Sequence, residues 1–443
     1  MRPELRTPTV LAGCLLAARL CLPAPLAAQP ADTLPPGRRV TLPEALARFE
    51  RHNLDLRLAR DEAAAARARV RTAGARPNPS FSGTRDQLSG GDRQYDETIL
   101  ALHQTLELGG QRAARRHVAE RLAAAAEARI EAEQLRLGFE VRRAYARAAA
   151  AEASLVTLTE TAEVFRQVER SGEARFAEGD ISDFERQRLR VERARYETLF
   201  ARTTRELSAA ARELTALVTP DSLGVPGFLL YPAETPGHTA LPPLTVPLDA
   251  ALLAAADRAD VRAAALEAES ARAALALQRR ERLPDPTLSA GYKDQSDGLR
   301  GVEIALALPL PLLDRNQGPI AEAEAAVARA ETRRRLVLAR AETDVRRAWE
   351  GYGAVQARLR PVATELLGQA GGLLRTARAA YAEGEMTLLE LLDAADAYRA
   401  ARETATELFA EALVARYDLE RALGRPLPAA PQATPTRTPT EAP

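Results

Sequence analysis

The sequence predicts a mainly α fold with a small β part, and three observations point to it. Ala, Arg, Glu and Leu dominate the 443 residues, with aromatics at 4% and charged residues at 28%, the composition of long helices and coiled coils. An aromatic-Ala-Glu-Gly-acid turn occurs twice, as F176-A-E-G-D180 and Y381-A-E-G-E385, with Gly179 and Gly384 205 positions apart. Nearly half the chain separates them, which reads as a duplication. Between its helices each half also carries two short segments in which apolar residues alternate with small or polar ones, the period of a strand.

The N-terminal residues 1–28 read as an export signal: Arg2 and Arg6, an apolar run from Val10 interrupted by Arg19, and a small-residue cleavage site near Ala28. L11-A-G-C14 also matches the box before a lipid-modified cysteine, so Cys14 stands as an alternative anchor; the competing reading is a chance match inside the apolar run. Cys14 and Cys21 are the two cysteines, so a chain cut near Ala28 holds no disulfide and no thiolate metal site. No later segment reaches the roughly 18 apolar residues of a membrane helix. An exported chain of this kind is periplasmic, secreted or a β-barrel.

Taken in order, the first repeat covers 41–218. It opens with a helix over 41–74, capped by Thr41 with Glu44 three residues on. Prolines at 77 and 79 end the helix; extended segments follow on either side of a loop at 88–94. A helix runs from 111 to about 175, the glycine turn follows, and a last helix spans 182–218. A Pro-rich linker, 219–247, leads to the second repeat, 248–424. There the same elements recur: a helix over 248–282, extended pieces in 283–295 and 301–314, helices over 319–379 and 387–423, and a Pro/Thr/Ala-rich tail, 425–443, expected to be disordered. The helix over 113–175 would be about 90 Å long at ~1.5 Å per residue, and those over 41–74 and 182–218 roughly 50 and 55 Å. One long helix therefore lies beside two shorter ones stacked end to end, which puts both glycine turns at one end of a rod and the extended segments at the other. Leu189, Tyr196, Thr203, Ala210 and Leu217 recur every seven residues, as do Leu391, Tyr398, Ala405, Ala412 and Leu419, the spacing of a coiled-coil seam.

In the extended segments, Val302, Ile304, Leu306, Leu308 and Leu310 share one face, with Glu303, Ala305, Ala307 and Pro309 on the other. Leu288, Ala290 and Tyr292 alternate with Thr287, Ser289, Gly291 and Lys293, and Leu100 and Leu102 with Ile99, Ala101 and His103. Each piece has about the 9–11 residues of a tilted transmembrane strand. A soluble hairpin packed on a core would read the same way. If the strands do cross a membrane, four of them cannot close a barrel, whose usual minimum is about eight. Open edges are not tolerated in lipid, so several copies would have to share one barrel.

The run Y381-AEGEMTLLELLDAADAYRA400, its end L419-ERALG424, Q104-TLELGGQR112 and G74-ARPNPSFSG83 resemble the TolC family of outer-membrane efflux channels, the last two most closely its heavy-metal (cobalt–zinc–cadmium) branch. The resemblance covers about 41–424. It implies a TolC-like α-helical barrel spanning into the periplasm, with four β-strands per chain forming a trimeric 12-stranded barrel in the cell outer membrane. It implies partners as well: a homotrimer, outer-membrane lipid, a periplasmic adaptor (membrane fusion) protein and an inner-membrane pump of the resistance-nodulation-division type. By the same resemblance, Gly179, Gly384, Glu178 and Glu383 form the adaptor-docking tip, and Glu185, Tyr381, Glu390 and Asp393 are pore-gate candidates. Met386 stands where some members carry a gating arginine. For each acid, a solvated helix charge is the competing reading.

No enzyme is expected. His52, His103, His117 and His238 are scattered with no H-E-x-x-H spacing, and there is no nucleophile elbow or phosphate loop, so no catalytic residue, metal ligand set or cofactor is assigned. With 61 basic and 61 acidic residues and no basic stripe, no nucleic-acid partner is expected. The function that follows is a passive exit duct carrying heavy-metal cations; drug efflux, type I secretion and an exported coiled-coil scaffold remain as alternatives.

Overall fold

A computed structural model describes residues 38–90, 93–179, 182–218, 228–230, 241 and 243–427. The expected signal 1–28 with Cys14, most of the 219–247 linker and the tail from 428 lie outside them. The first repeat contains β1 (Arg38–Val40), α1 (Leu42–His52), α2 (Leu54–Ala73), β2 (Ser80–Gly90), β3 (Arg93–Thr105), α3 (Gln111–Glu178) and α4 (Asp183–Val218). After β4 (Phe228–Leu230) come α5 (Leu248–Ala255), α6 (Ala259–Arg280), β5 (Thr287–Gln295), β6 (Arg300–Ala307), α7 (Gln317–Pro361), α8 (Leu367–Ala382) and α9 (Leu388–Leu423). The strands extend further into the first hairpin than expected, taking in 88–90 and 93–94 of the anticipated 88–94 loop.

Three expected helices are interrupted, each at an identifiable residue. Thr41 and Glu44 cap α1 reciprocally, but Asn53 ends it and starts α2. The Asn53 side chain accepts the Leu56 N–H at 3.0 Å and donates to the Leu217 carbonyl at 3.0 Å, tying the start of α2 to the end of α4. Arg258, 205 positions later, occupies the same place before α6 and forks onto Asp260 at 3.0 and 2.7 Å. The expected helix over 319–379 widens into a π-turn, Val362–Leu366, directly after Pro361, whose missing N–H removes one rung of the ladder. Its counterpart α3 runs 68 residues without a break.

Packing follows the predicted lengths. The long α3 lies against α2 and then α4 on one side, and against α6 and then α9 on the other, while α7 and α8 flank α6 and α9. Near mid-length, Phe49, Leu56, Val141, Leu214 and Val218 form one core, and Val261, Val345, Tyr352, Leu419 and Leu423 its counterpart in the second repeat. Beside the first core, β1 pairs parallel with β4, a pairing without a sequence signal. Both seven-residue seams are buried or partly buried, Leu189 and Tyr196 in one, Leu391, Ala405, Ala412 and Leu419 in the other. The four longer strands form an antiparallel sheet in the order β2-β3-β5-β6, at the opposite end from the glycine turns. Among the described residues, no helix is long and apolar enough to cross a membrane.

Candidate functional site: the helical tips and the sheet

At the tip, α3 ends on Gly179 with φ +85° and α8 on Gly384 with φ +78°, the left-handed conformation that glycine enters without a Cβ penalty. The second turn closes as a Schellman motif: the Gly384 N–H donates to the Tyr381 carbonyl at 3.2 Å and the Glu385 N–H to the Ala380 carbonyl at 2.8 Å. At the first, the Gly179 N–H donates to the Phe176 carbonyl at 3.1 Å. A Cβ on either glycine would touch nothing within 4 Å, so conformation and not crowding calls for glycine.

The returning helices begin with matched capping boxes. Glu185 accepts the Ser182 N–H at 2.9 Å while its own N–H donates to Ser182 Oγ at 3.2 Å. Glu390 accepts from the Thr387 N–H at 2.9 Å and hydroxyl at 2.7 Å. These bonds hold the Glu390 carboxyl below the usual carboxylate range, the Thr387 hydroxyl contributing most. The two glutamates among the gate candidates are thus committed, through one oxygen each, to starting a helix. The signals were S182-x-x-E185 and T387-x-x-E390, the pattern already recognised at Thr41. Asp393 sits one turn further along α9, exposed. Glu383 is exposed beside Gly384, and Glu178 closes α3 beside Gly179. Tyr381 is half-buried and packs, with Met386, on the tip core.

That core joins the two turns into one structure. Phe165 and Val168 of α3, Leu189 and Tyr196 of α4, Leu374 and Ala377 of α8, and Leu388, Leu391 and Leu392 of α9 are buried together. Phe165 and Tyr196 stack tilted at 4.5 Å. Tyr196 donates to Asp396 at 3.3 Å, and Arg195 pairs with the same carboxylate at 3.1 Å. Burial, with the Asp396 charge next, pushes the Tyr196 phenol well above its ordinary value. Arg186 lies over the Phe176 ring at 4.2 Å, which ties α4 to the end of α3.

At the other end, strand register sorts the sheet into two faces. Phe81, Leu102, Ala290 and Ile304 lie in one cross-strand row, and Gly83, Leu100, Tyr292 and Val302 in the next. This apolar face is uncovered: Val302 and Ile304 are 77% and 75% exposed. The opposite face is polar and internally bonded. His103 bridges the hydroxyls of Ser82 and Ser289 at 2.7 Å each, and Glu97 holds Tyr95, Lys293 and Gln295 at 2.8, 2.5 and 3.0 Å. A soluble hairpin would bury the apolar face on a core; among the described residues it meets none. Among the described residues, no group of three or more His, Cys, Asp or Glu is placed to hold a metal ion; His238 lies outside them.

A family model described as outer membrane efflux protein matches residues 45–218 and again 252–425. The cobalt-zinc-cadmium resistance protein CzcC of Cupriavidus metallidurans is 30% identical over 288 residues, covering 63% of this chain and 65% of its own length. The nickel-cobalt-cadmium resistance protein NccC of Alcaligenes xylosoxydans xylosoxydans is 28% identical over 292 residues, 60% of this chain and 61% of its own. The matches thus span just under two thirds of those relatives. The crystal structure of the outer membrane protein VceC from Vibrio cholerae superposes with a TM-score of 0.65 at 23% identity, covering 87% of this chain and 96% of that one. With the family matched in both repeats, and with the helical tips and four-stranded sheet of a TolC-like channel fold, the chain belongs to the outer membrane efflux protein family.

Proposed function

We propose that this protein is the outer-membrane exit duct of a tripartite efflux system. Three copies pool their sheets into a 12-stranded barrel, and their helices continue it as a tunnel into the periplasm. The observation that carries this reading is the sheet, with one apolar face uncovered and the outer edges of β2 and β6 without a strand partner among the described residues. An unpaired backbone group in hydrocarbon costs several kcal/mol, so the edges need partners. Because β2 and β6 run in opposite directions, β6 of one copy meets β2 of the next antiparallel, and 12 strands fall within the known range of about 8–26.

In this reading residues 1–28 direct export, 41–218 and 248–424 are the two efflux repeats, 219–247 the linker and 425–443 a tail whose start, against the expectation of disorder, is packed: Leu427 is buried in the second mid-length core. Gly179 and Gly384, with Glu178 and Glu383, dock a periplasmic adaptor that delivers substrate from an inner-membrane pump of the resistance-nodulation-division type. Tyr381, Glu185, Glu390 and Asp393 narrow the pore, with Asp393 the principal acid because the other two carboxylates serve as helix caps. Heavy-metal cations are the cargo; the resistance described for CzcC and NccC supports that choice. A duct has no need of tight ligands, and selection falls to the pump.

The test combines planar-bilayer recording of detergent-purified protein with metal tolerance of a deletion strain. Discrete channels, weaker divalent block in Asp393→Ala, and lost tolerance to cobalt, zinc or cadmium are expected. Intact metal tolerance with lost drug tolerance, or with a lost secreted protein, would reassign the cargo. A water-soluble protein that forms no channel would leave a helical scaffold as the better account.

A further inference from the structure

Seen along its length, the chain is an open sector. The sheet order β2-β3-β5-β6 continues below as α2-α3-α6-α7 and at the tip as α4-α3-α9-α8. One long edge is therefore β2, α2 and α4, the other β6, α7 and α8. A neighbour whose β6 pairs with β2 is carried by the same order of elements to set its α8 beside α4.

The two edges differ at the tip in a complementary way. On α4, Phe184 and Val191 are 71% and 65% exposed and seven residues apart, one stripe on the helix. Leu189 and Tyr196, buried toward α3, occupy a different side, with Phe184 and Val191 about 140–160° around from Leu189 at ~100° per residue. Further along, the stripe turns charged with Arg195 and Arg202, so the apolar part is confined to the turns nearest the tip. On α8, Gly368 and Gly372 stand in the helix although a Cβ at either would meet nothing within 4 Å. Interior glycines weaken a helix, and among the described residues nothing approaches closely enough to require them. Ala379 extends the same low side and is exposed.

We infer that Phe184 and Val191 of one copy seat on the Gly368–Gly372–Ala379 side of α8 in the neighbouring copy, forming an apolar latch between subunits at the tip. The inference rests on the trimeric exit-duct reading. Because the latch is short and followed by arginines, it can part without dismantling the seam above it, so the tip opens while the trimer holds.

Cysteine cross-linking tests it, since a chain cut near Ala28 has no native thiol. Val191→Cys is combined in turn with Gly372→Cys and Ala379→Cys, in a Cys14→Ser/Cys21→Ser background, in the exported protein purified in detergent and treated with a short bis-maleimide. Phe200→Cys, on the other flank of α4, is the control. Covalent trimers from Val191→Cys with at least one α8 position, none from the control, and a several-fold higher open probability for Phe184→Ser in bilayers are expected. Trimers by light scattering that give no Val191 cross-link overturn the latch and leave the duct standing. The same holds if Val191→Cys is shielded only when an adaptor is added, or if the control links equally well. Monomers would overturn the duct and the latch together.

Discussion

Replacing Gly384 with alanine isolates the cost of backbone conformation at the tip. The residue sits at φ +78°, and an added Cβ meets no atom within 4 Å, so no clash and no new contact enters. What remains is the left-handed conformation itself, which costs an L-residue about 1–2 kcal/mol, a factor of roughly 5–30 in the local opening equilibrium. Two backbone bonds report on it, Gly384 N–H to the Tyr381 carbonyl and Glu385 N–H to the Ala380 carbonyl. Hydrogen exchange of the amides at 384 and 385 should accelerate by about that factor in Gly384→Ala, while amides of the mid-length core stay unchanged. Asn, which tolerates this conformation better, should recover part of the loss. The reasoning is refuted if Gly384→Ala exchanges as slowly as the parent, or is stabilised as an exposed helix-interior Gly→Ala would be. Gly179→Ala should behave alike, since its φ of +85° is also left-handed and its surroundings are equally open.

Thr387→Ala removes a reciprocal cap and should fray the start of α9 by about 0.5–2 kcal/mol, read as faster exchange over the first turn of the helix. The pH dependence carries a definite sign: because the Glu390 carboxyl is held below its ordinary value, the cap is intact above the unfolded carboxylate range and is lost as pH falls through the lower folded value. Protection at the start of α9, taken as the intrinsic exchange rate at each pH over the observed one, should therefore fall in acid and be flat around neutrality. Leu391→Ala empties a fully buried site in the tip core, costing about 2–5 kcal/mol, and should lower the protease resistance of the tip before that of the mid-length core. Ile304→Arg puts a charge on the uncovered sheet face, worth up to about 2–4 kcal/mol against insertion at mid-bilayer; membrane-fraction yield should fall, whereas Ala305→Arg on the opposite face should be tolerated.

Much of the architecture could be read from local pattern. Period-two alternation placed Leu100, Tyr292 and Val302 on one face, and the register puts these residues in a single row. Seven-residue spacing picked out the seams through Leu189 and Leu391, because the helical repeat converts sequence interval directly into direction. The twin glycines were legible because a left-handed turn leaves few other choices. What the chain could not disclose locally depends on partners far away in sequence. The break at Asn53 is completed by the Leu217 carbonyl, 164 residues on, and β1 is a strand only because β4 lies beside it. That β3 pairs with β5, with β2 and β6 left at the edges, follows from how two repeats pack, which no single repeat can show. Glu185 and Glu390 belong instead with the local signals: each carboxylate meets a partner only three residues back, Ser182 or Thr387, and satisfies N–H groups that helix geometry leaves open. Periodicity and conformational restriction act over a few residues and survive in the sequence; partner choice is settled by burial across the whole chain, and only the tertiary structure decided it.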